Sequence, residues 1–576
     1  MKQKEFRFSR KALFGMMVLA AAGALPAQAA TIAVNTFADV IADDGVCSLR
    51  EAVIAANGNA ASGATAGECV AGEVAPMVDV ISLPAGTYTL ANGVADETAA
   101  LITDPANPST VVITADATIG DLDITESVTI AGAGSATTTI DGAGLERIFH
   151  VNAETGTIDV AISGVKLTQG HTTGINLGVG PASGSGMEPT AYWLRRAGGA
   201  IAVGPAASVV LVDPNVTGDA NAAGRGGSQK PTEPDEGGAT FTLRLDDVVV
   251  DGNHADGDGG GIYTAAAMAA DRVVVSNNDS LTNGGGIYNE GNTTITNSTV
   301  TENSAEGGGG IFMTGSNTVN IRGTTLSFNR AVGGGAISGR AGMTLNLVNS
   351  TLSGNIGSDV GAGLYTNGAA NLNFVTIANN LAGADSPTAG SGINLFPAST
   401  TANAVTLKNV LLAGNKAAWL EGMDAAAIAA LPSANCGVTG GGIPVTTLGG
   451  NLSSDTSCDG WLDVTLMGGD LTNVDPKLGD LADNGGPTYT HALAADSPAL
   501  GRGRIDPAIT VDQRGVTRQT PPDIGAFELV TVDPTPFSGG GGGGCAVGGS
   551  GRLDPTLPAM LAAALAFFGW RRRAVK

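Results

Sequence analysis

Two short stretches, VVDGN at residues 249–253 and GGGIY at residues 259–263, decide the fold because the chain repeats them. Each copy has a short apolar run, a polar bend that contains Asn, and a glycine cluster that closes on Ile or Leu. The asparagines of successive copies lie 25 or 26 residues apart, at Asn253, Asn278, Asn303, Asn329, Asn355 and Asn380. A fixed period of this length indicates a stacked repeat.

The repeating unit is too short for two helices, and it alternates Val, Ile and Thr with Asn, Gly and Ser. That composition is typical of strands and turns, so the sequence predicts an all-β parallel solenoid. Equivalent residues of stacked coils should form ladders. We expect one inward apolar ladder of Leu167, Val250, Val275, Val300, Leu326, Leu352 and Ile377. We also expect an asparagine ladder at a bend, where Asn tolerates left-handed backbone angles, and glycines at tight corners.

A glycine cluster can also cradle a phosphate group. Here the clusters recur once per coil, and no Lys-Ser/Thr pair with a helix follows them. The repetition favours a structural role for the glycines.

Composition and charge narrow the class of protein. The chain has 576 residues, 87 of them Gly, with a net charge of −24. A strongly acidic chain is a poor partner for nucleic acid, whose phosphates need a basic face. The charge could attract cations, but solvation of an exported protein is the preferred explanation.

Residues 1–29 have the features of a secretory signal peptide: a basic start, the apolar run Ala12–Leu25 and the small-residue cleavage site Ala27-Gln28-Ala29. The sequence therefore predicts export.

Residues 30–110 are predicted to form an N-terminal cap. Ser48 and Glu51 make a capping box, and a helix ending near Gly58 would present the apolar face Leu49, Ala52, Val53 and Ala56. Such a helix could cover the first coil, which would otherwise expose apolar core. In an exported chain the flanking Cys47 and Cys69 are expected to form a disulfide, because no further His or Cys nearby suggests a metal site.

The same region carries a family resemblance. Residues 47–52 read CSLREA, and Leu83-Pro84-Ala85-Gly86-Thr87-Tyr88 follows. Both resemble the N-terminal region of bacterial CSLREA-motif surface proteins, and the Gly-Gly-Ile repeats are similar to those of polymorphic outer-membrane proteins. The resemblance implies a single-stranded right-handed parallel β-helix at the bacterial cell surface or outer membrane, and it does not imply an enzyme.

Residues 111–415 are predicted to form the β-helix, with an irregular part at 171–240. There Gly198–Ile201 has the pattern of a coil corner, and Pro181–Pro189 and Asn221–Gly238 read as protruding loops that could carry function. Residues 416–530 are predicted to form a C-terminal cap, with a helical excursion at Ala417–Leu431 and a second disulfide between Cys436 and Cys458. The sequence does not fix the connectivity of the four cysteines, but each proposed pair is local.

A second resemblance covers residues 473–528. It rests on an ordered series of short motifs: Asp475-Pro476, residues 481–488 (LADNGGPT), His491-Ala492-Leu493, Ser497-Pro498-Ala499, residues 512–515 (DQRG) and 523–528 (DIGAFE). The series is similar to the choice-of-anchor Q region that ends many bacterial β-helix surface proteins. The resemblance implies a cap that precedes an anchoring tail.

Residues 531–576 have the layout of such a tail. The glycine run Gly539–Gly544 ends at Cys545, an apolar segment continues to Trp570, and Arg571–Arg573 follows. This resembles bacterial C-terminal sorting signals that a membrane protease processes, and it makes Cys545 a candidate modification site. The alternative is a permanent single-pass anchor with a free or intermolecular Cys545.

No catalytic constellation emerges from the sequence. The ladder position of Asp251 becomes Ser276, Thr301, Ser327, Ser353 and Ala378, so no acidic stack forms there. His150, His171, His254 and His491 share no motif, and no cofactor site is predicted. Asp256 and Asp258, with Glu306 in a comparable bend, could bind Ca²⁺ weakly, although solvated turn residues are the preferred interpretation.

The sequence therefore predicts a surface-anchored adhesin or structural protein whose partner is an extracellular glycan or another cell surface. The alternative is a polysaccharide lyase or hydrolase with a site built from the 171–238 loops.

The tail hypothesis yields a direct test. If a sorting protease processes the chain, protein recovered from its native host should lack residues 571–576. Mass spectrometry of the mature C-terminus measures this, and an intact Arg571–Lys576 segment would rule processing out.

Overall fold

The computed structural model describes residues 29–92, 116–153, 156–172, 197–204, 240–383, 390–396, 404–439, 444–465 and 469–530, together with the backbone of three short strands at 175–179, 191–195 and 210–212. The chain divides into two units, Met1–Leu529 and Val530–Lys576. The signal peptide, the tail with Cys545, and the loops Pro181–Pro189 and Asn221–Gly238 lie outside the described residues.

Three parallel sheets run along the described part of the molecule, and the rungs from His171 onward contribute to all three. Sheet B has ten strands: Leu122–Ile124, Phe149–Val151, Ile201–Val203, Ile262–Thr264, Ile287–Asn289, Ile311–Met313, Ile337–Gly339, Leu364–Thr366, Ile393–Leu395 and Cys436–Val438. Sheet C contains His171–Thr172, His254–Ala255 and Asp279–Ser280, then Arg330–Gly333, Ile356–Val360, Leu381–Gly383 and Lys416–Trp419.

Sheet A has nineteen strands. They are Thr31–Ala33, Asp79–Leu83, Gly86–Thr89, Val128–Gly132, Thr138–Asp141, Thr157–Thr168, Thr240–Asp251, Ala267–Asp271, Val274–Ser276, Thr293–Thr296, Thr299–Thr301, Thr318–Arg322, Thr325–Ser327, Thr344–Ser353, Ala369–Ala378, Val405–Lys408, Leu411–Ala413, Val445–Thr447 and Leu452–Ser453. The fold class is confirmed as an all-β parallel β-helix.

The predicted apolar ladder is present in register. Leu167 pairs with Val250, Val250 with Val275, and the series continues through Val300, Leu326 and Leu352 to Ile377. All seven side chains are at most 1% exposed. The β period of two explains this, since alternate residues of each strand point into the coil.

Sheet A bends in the middle of every rung. The bend row consists of residues with left-handed backbone (φ between 46° and 63°): Asp247, Arg272, Asn297, Gly323, Asn349, Phe374 and Asn409. Each bend divides a rung of sheet A into a first half, such as Ala267–Asp271, and a second half, such as Val274–Ser276.

The asparagine ladder is present and buried. In each rung the Asn backbone N–H and side-chain Nδ2 both donate to Oδ1 of the Asn one rung later, as Asn278 does to Asn303 at 3.0 and 2.9 Å. Nδ2 also donates to a carbonyl one rung earlier, as in the 2.9 Å bond from Asn278 to Val250. Each asparagine therefore ties three rungs together.

One detail of the predicted ladder is wrong. The ladder asparagines themselves do not have left-handed angles; the residues just before them do, at Gly252, Asn277, Glu302, Phe328, Gly354, Asn379 and Gly414. The preceding residue turns the chain. The ladder asparagine can therefore point its side chain into the coil and its backbone N–H towards the next rung.

The glycine clusters form the corner between sheets C and B. Gly259 has φ +75°, and a Cβ on Gly260 would lie 2.4 Å from the carbonyl oxygens of Asp279 and Gly285. Backbone packs directly on backbone here and leaves no room for a side chain. This geometry agrees with the prediction that the glycine clusters have a structural role.

The irregular region consists of two insertions into one rung. Thr157–Thr168 pairs directly with Thr240–Asp251, although more than seventy residues separate them. Between them Gly198–Ile201 forms the predicted corner, and Ile201–Val203 joins sheet B. Three strands, Ile175–Val179, Ala191–Arg195 and Val210–Val212, pair antiparallel outside the main sheets.

The N-terminal helix spans Leu49–Gly58 and has the predicted capping box. Leu49, Ala52, Val53 and Ala56 are buried and belong to the solenoid core, and the disulfide between Cys47 and Cys69 is present. The helix therefore closes the first coil.

Arg50 of the CSLREA motif has a structural role that the sequence did not reveal. Its guanidinium pairs with Asp39 at 2.7 Å and donates to the carbonyls of Ala117, Gly120 and Asp121, all while fully buried. The bidentate fork of Arg suits this crosslink between two loops of the cap.

The C-terminal end of the core is covered by the segment around the second disulfide, Cys436–Cys458. Leu462 and Trp461 pack on the core there. The predicted helical excursion is much shorter than expected: only Ala425–Ala429 is helical, with Asp424 as N-cap, and Ala417 lies in a strand of sheet C.

Residues 473–529, the flank module, pack on the side of the solenoid. The module contains the antiparallel pair Leu478–Ala482 and Thr490–Leu493. It covers the outward Thr and Ser side chains of sheet A through bonds such as His491 to Ser353 at 2.8 Å and Thr351 to Gln513 at 2.7 Å. The predicted C-terminal region thus closes the end of the core and also clamps one flank.

We expect Asn303→Ala to lower the free energy of unfolding by about 3 kcal/mol, because it leaves several buried donors and acceptors of neighbouring rungs unpaired. Urea denaturation of the full chain measures this. Asn320→Ala is the matched control, since the Asn320 side chain is exposed and should change stability by less than about 0.5 kcal/mol. Equal losses in the two variants would contradict the role of the ladder.

Candidate functional site

The outer face of sheet B carries a stack of aromatic rings. Tyr263, Tyr288 and Phe312 occupy the same register position in three successive rungs. Their ring centroids lie 5.1 and 5.3 Å apart with interplanar angles of 7° and 8°, and the guanidinium of Arg340 lies 5.1 Å from the Phe312 centroid. The rings stack face to face on one another and are at most 8% exposed, so they do not form an open stacking platform for a ligand.

Two carboxyl groups adjoin this stack. Asp258 is 7% exposed and accepts hydrogen bonds from Thr282 at 2.6 Å and from the backbone N–H of Asn283 at 3.0 Å. Burial raises the pKa of Asp258, and the charge of Glu290 raises it further. Glu290 accepts a 3.1 Å bond from the Tyr288 hydroxyl. A carboxyl with a raised pKa near a second carboxylate is one arrangement that enzymes use for general acid–base catalysis.

The neighbouring Asp256 lies in a different environment, on sheet C. The two ring nitrogens of His254 bond Asp279 at 2.9 Å and Asp256 at 3.2 Å. The His171 ring meets the His254 ring edge to face at 4.6 Å. Burial opposes the charge on His254, but the hydrogen bonds and charges of Asp256 and Asp279 outweigh it and raise its pKa to about 9.

Asp256 and Asp258 therefore do not share one site. Asp256 is engaged with His254, whereas Asp258 bonds Thr282 and Asn283. Among the described residues no group of three His, Cys, Asp or Glu side chains is arranged to hold a metal ion. The Ca²⁺ suggestion from the sequence gains no geometric support from this pair, and it stays a prediction.

A second buried charged group lies at the N-terminal end of sheet B. Asp123 and His150 continue the outward position of the aromatic stack and pair at 3.1 Å, and Arg147 pairs with Asp121 at 3.1 Å. Burial raises the pKa of Asp123, but the bond to His150 and its charge hold it below the usual range. All four side chains are at most 2% exposed, so they crosslink the structure.

The four histidines thus have separate roles. His491 lies in the flank module, where its Nδ1–H donates to Gly479 at 2.7 Å and its Nε2 accepts from Ser353. His171 and His254 meet because their strands pair in sheet C. Only the register of the repeat could have predicted the contact between His171 and His254, and the repeat is interrupted between residues 173 and 239. Glu290 belongs to no motif that could have marked it as a candidate site residue.

Comparison with known proteins gives a distant structural alignment. No family model and no curated protein match the sequence. Among solved structures, DFA-IIIase from Arthrobacter chlorophenolicus A6 in complex with GF2 aligns with 14% identity and a TM-score of 0.31. The alignment covers 73% of this chain and 94% of the other. At this TM-score it supports no conclusion about substrate or reaction.

The His254 cluster predicts a pH dependence of stability. Its folded pKa of about 9 lies above the unfolded value of about 6.5, so the protonated form favours the fold. The contribution is complete below about pH 6.5 and is lost as the pH rises through about 9. Relative to His254→Gln, the natural protein should be more stable by about 2 kcal/mol near pH 6, a figure reduced for partial solvent screening.

Urea denaturation of both proteins near pH 6 and near pH 10 measures this difference, which should vanish at the higher pH. Asn320→Ala provides a control that does not titrate. A stability difference for His254→Gln that stays the same at both pH values would contradict the ion-pair interpretation.

Proposed function

We propose that this chain is an exported β-helix that binds an extracellular glycan or another cell surface through its flanks, without catalysis. The observation that carries the proposal is the closure of both ends of the core, by the helix Leu49–Gly58 and by the segment around Cys436–Cys458. A solenoid with closed ends exposes its sides to partners, and repeat proteins use such extended surfaces for binding.

Rigidity supports this role. The ten strands of sheet B at about 4.8 Å spacing give a scaffold about 43 Å long. The buried asparagine ladder fixes the spacing of the rungs over most of that length. Outward side chains are therefore held in fixed positions, which lowers the entropic cost of binding a partner.

The cysteine pairs favour an extracytoplasmic location. The two disulfides are typical of an oxidising compartment. Within the described parts of the chain, no helix has the length and apolarity needed to span a membrane.

The CSLREA and choice-of-anchor resemblances suggest a bacterial cell surface, with residues 531–576 as a processed or membrane-bound anchor. Leu529, which precedes this segment, is held in the flank module by bonds to Asp523 and Gln519.

A carbohydrate-active enzyme is the second candidate, favoured by one observation. Asp258 and Glu290 interact electrostatically, and the pKa of Asp258 is raised. Glycosidases use such a pair as acid and as base or nucleophile. In this structure both Asp258 and the adjacent Tyr288 are nearly buried, which disfavours direct access of a polymer.

A binding screen on whole cells and on a glycan panel, combined with an assay for released reducing ends, separates the two candidates. We expect binding of the full chain without turnover. Turnover that is lost in Asp258→Asn with Glu290→Gln, but kept in the matched control Asp256→Asn with Glu306→Gln, would establish the enzyme instead. Absence of binding to every cell type and glycan would contradict the adhesive role.

A further inference from the structure

A cleft of about 310 Å³ lies where the flank module meets the bend row. From Asn349 onward the module buries this row, since Asn349, Phe374 and Asn409 are at most 1% exposed. One wall of the cleft is Pro487 with residues 511–515 of the module, and the other is formed by Arg322 and four bend-row residues, Arg272, Asn297, Gly323 and Asn349. Its volume lies at the lower end of ligand sites, about 300–1,000 Å³.

The floor of the cleft exists because one rung has glycine in the bend row. Neighbouring rungs carry Asn297 and Asn349 at this position, whereas Gly323 has no side chain. A Cβ on Gly323 would lie 2.9 Å from Oδ1 of Asn297. The Thr488 hydroxyl donates to the Gly323 carbonyl at 3.0 Å and fixes the module at the edge of the gap.

Three guanidinium groups line this cleft in a chain whose net charge is −24. Arg514 is held by Asp512 and lies over the Phe527 ring at 3.6 Å. Arg272 pairs with Asp246 and Asp271. Arg322 is exposed and has no hydrogen-bond or ion-pair partner among the described residues, which leaves one guanidinium free to bind an anion.

Amide groups lie beside the free arginine. Asn320 and Arg322 point outward from the same strand, two residues and thus about 7 Å apart. Asn371 donates to Asn346 and Asn346 to Asn320, each at 2.9 Å, so an outward amide row leads away from the cleft. The NH₂ group of Asn320 has no partner in the described part of the chain and can donate to a hydroxyl oxygen.

We propose that this cleft binds an acidic sugar residue of an extracellular glycan, with Arg322 pairing with its carboxylate or sulfate and the Asn320 amide bonding ring hydroxyls. An arginine fork matches either anion through two parallel N–H bonds. The strongly negative chain disfavours a densely charged polyanion, so isolated acidic residues in an otherwise neutral glycan fit best. This inference rests on the proposed binding function and assigns it a ligand class and a site.

Isothermal titration calorimetry of the full chain tests the proposal with oligosaccharides that contain glucuronate, galacturonate or a sulfated sugar. A neutral oligosaccharide of the same length and inorganic sulfate serve as comparison ligands. We expect at least one acidic oligosaccharide to bind, and Arg322→Gln to weaken it about tenfold or more. Arg244→Gln is the matched control, because Arg244 is exposed and outward on sheet A but lies three rungs away.

A second variant tests the cleft without removing charge. Gly323→Asn restores the residue type of neighbouring bends, tolerates the left-handed backbone and fills the floor. It should also abolish binding, with the Asn297 amide shifting to make room for the new Cβ, and the urea midpoint checks that the fold is kept.

Unchanged affinity in Arg322→Gln, or no binding of any acidic oligosaccharide, would overturn the site. Equal affinity for inorganic sulfate would show a small-anion site and overturn the glycan assignment. Cell binding that survives in Arg322→Gln would refute this cleft yet leave the adhesive function standing.

Discussion

The side-chain oxygen of each ladder asparagine from Asn278 to Asn415 accepts two hydrogen bonds from the preceding rung, and the rest of the solenoid depends on this arrangement. At the turn, the backbone N–H of the preceding rung has no strand carbonyl to donate to, and the side-chain oxygen accepts its hydrogen bond instead. An unpaired amide in this dry environment would cost about 1–3 kcal/mol per group, so every rung must place its asparagine in the same way. The bend therefore has the same conformation from rung to rung.

This constraint divides each rung into a fixed half and a variable half. Every ladder asparagine from Asn253 to Asn415 follows its bend-row residue by six positions, from Asp247 to Asn409. The segments that differ in length instead lie on either side of sheet B. They include the two insertions before and after Ile201–Val203 and the helix Ala425–Ala429.

Features that repeat along the chain could be predicted from the sequence. The apolar ladder and the glycine corners follow from the period of the repeat, and the capping helix and the two local cysteine pairs could be proposed from short-range sequence patterns. A covalent repeat places equivalent residues in contact without any long-range folding information. Predictions based on one residue type alone were less accurate: asparagine was assigned the left-handed angle that belongs to the residue before it.

Contacts between distant segments could not be predicted in the same way. Thr325 and Thr351 look like ordinary solvent-facing strand residues, and only the structure shows that Gln513 bonds both. Asp256 and Asp258 are two positions apart and seemed one cluster, yet they bond different partners. The cleft at Gly323 depends on where the flank module ends, which no local pattern encodes.

The flank module also fixes the number of rungs between its contacts with the solenoid, because each contact is made with a particular rung. Gln513 meets the rung of Thr325, His491 that of Ser353, and the backbone of Ala526 the hydroxyl of Thr376. A duplicated or deleted coil between these rungs would shift every later contact by one strand spacing, about 4.8 Å, and break the clamp. Among the described residues, no hydrogen bond of this kind joins the flank module to the coils before Thr299. Growth or shortening of this protein by whole repeats is therefore confined to its N-terminal half.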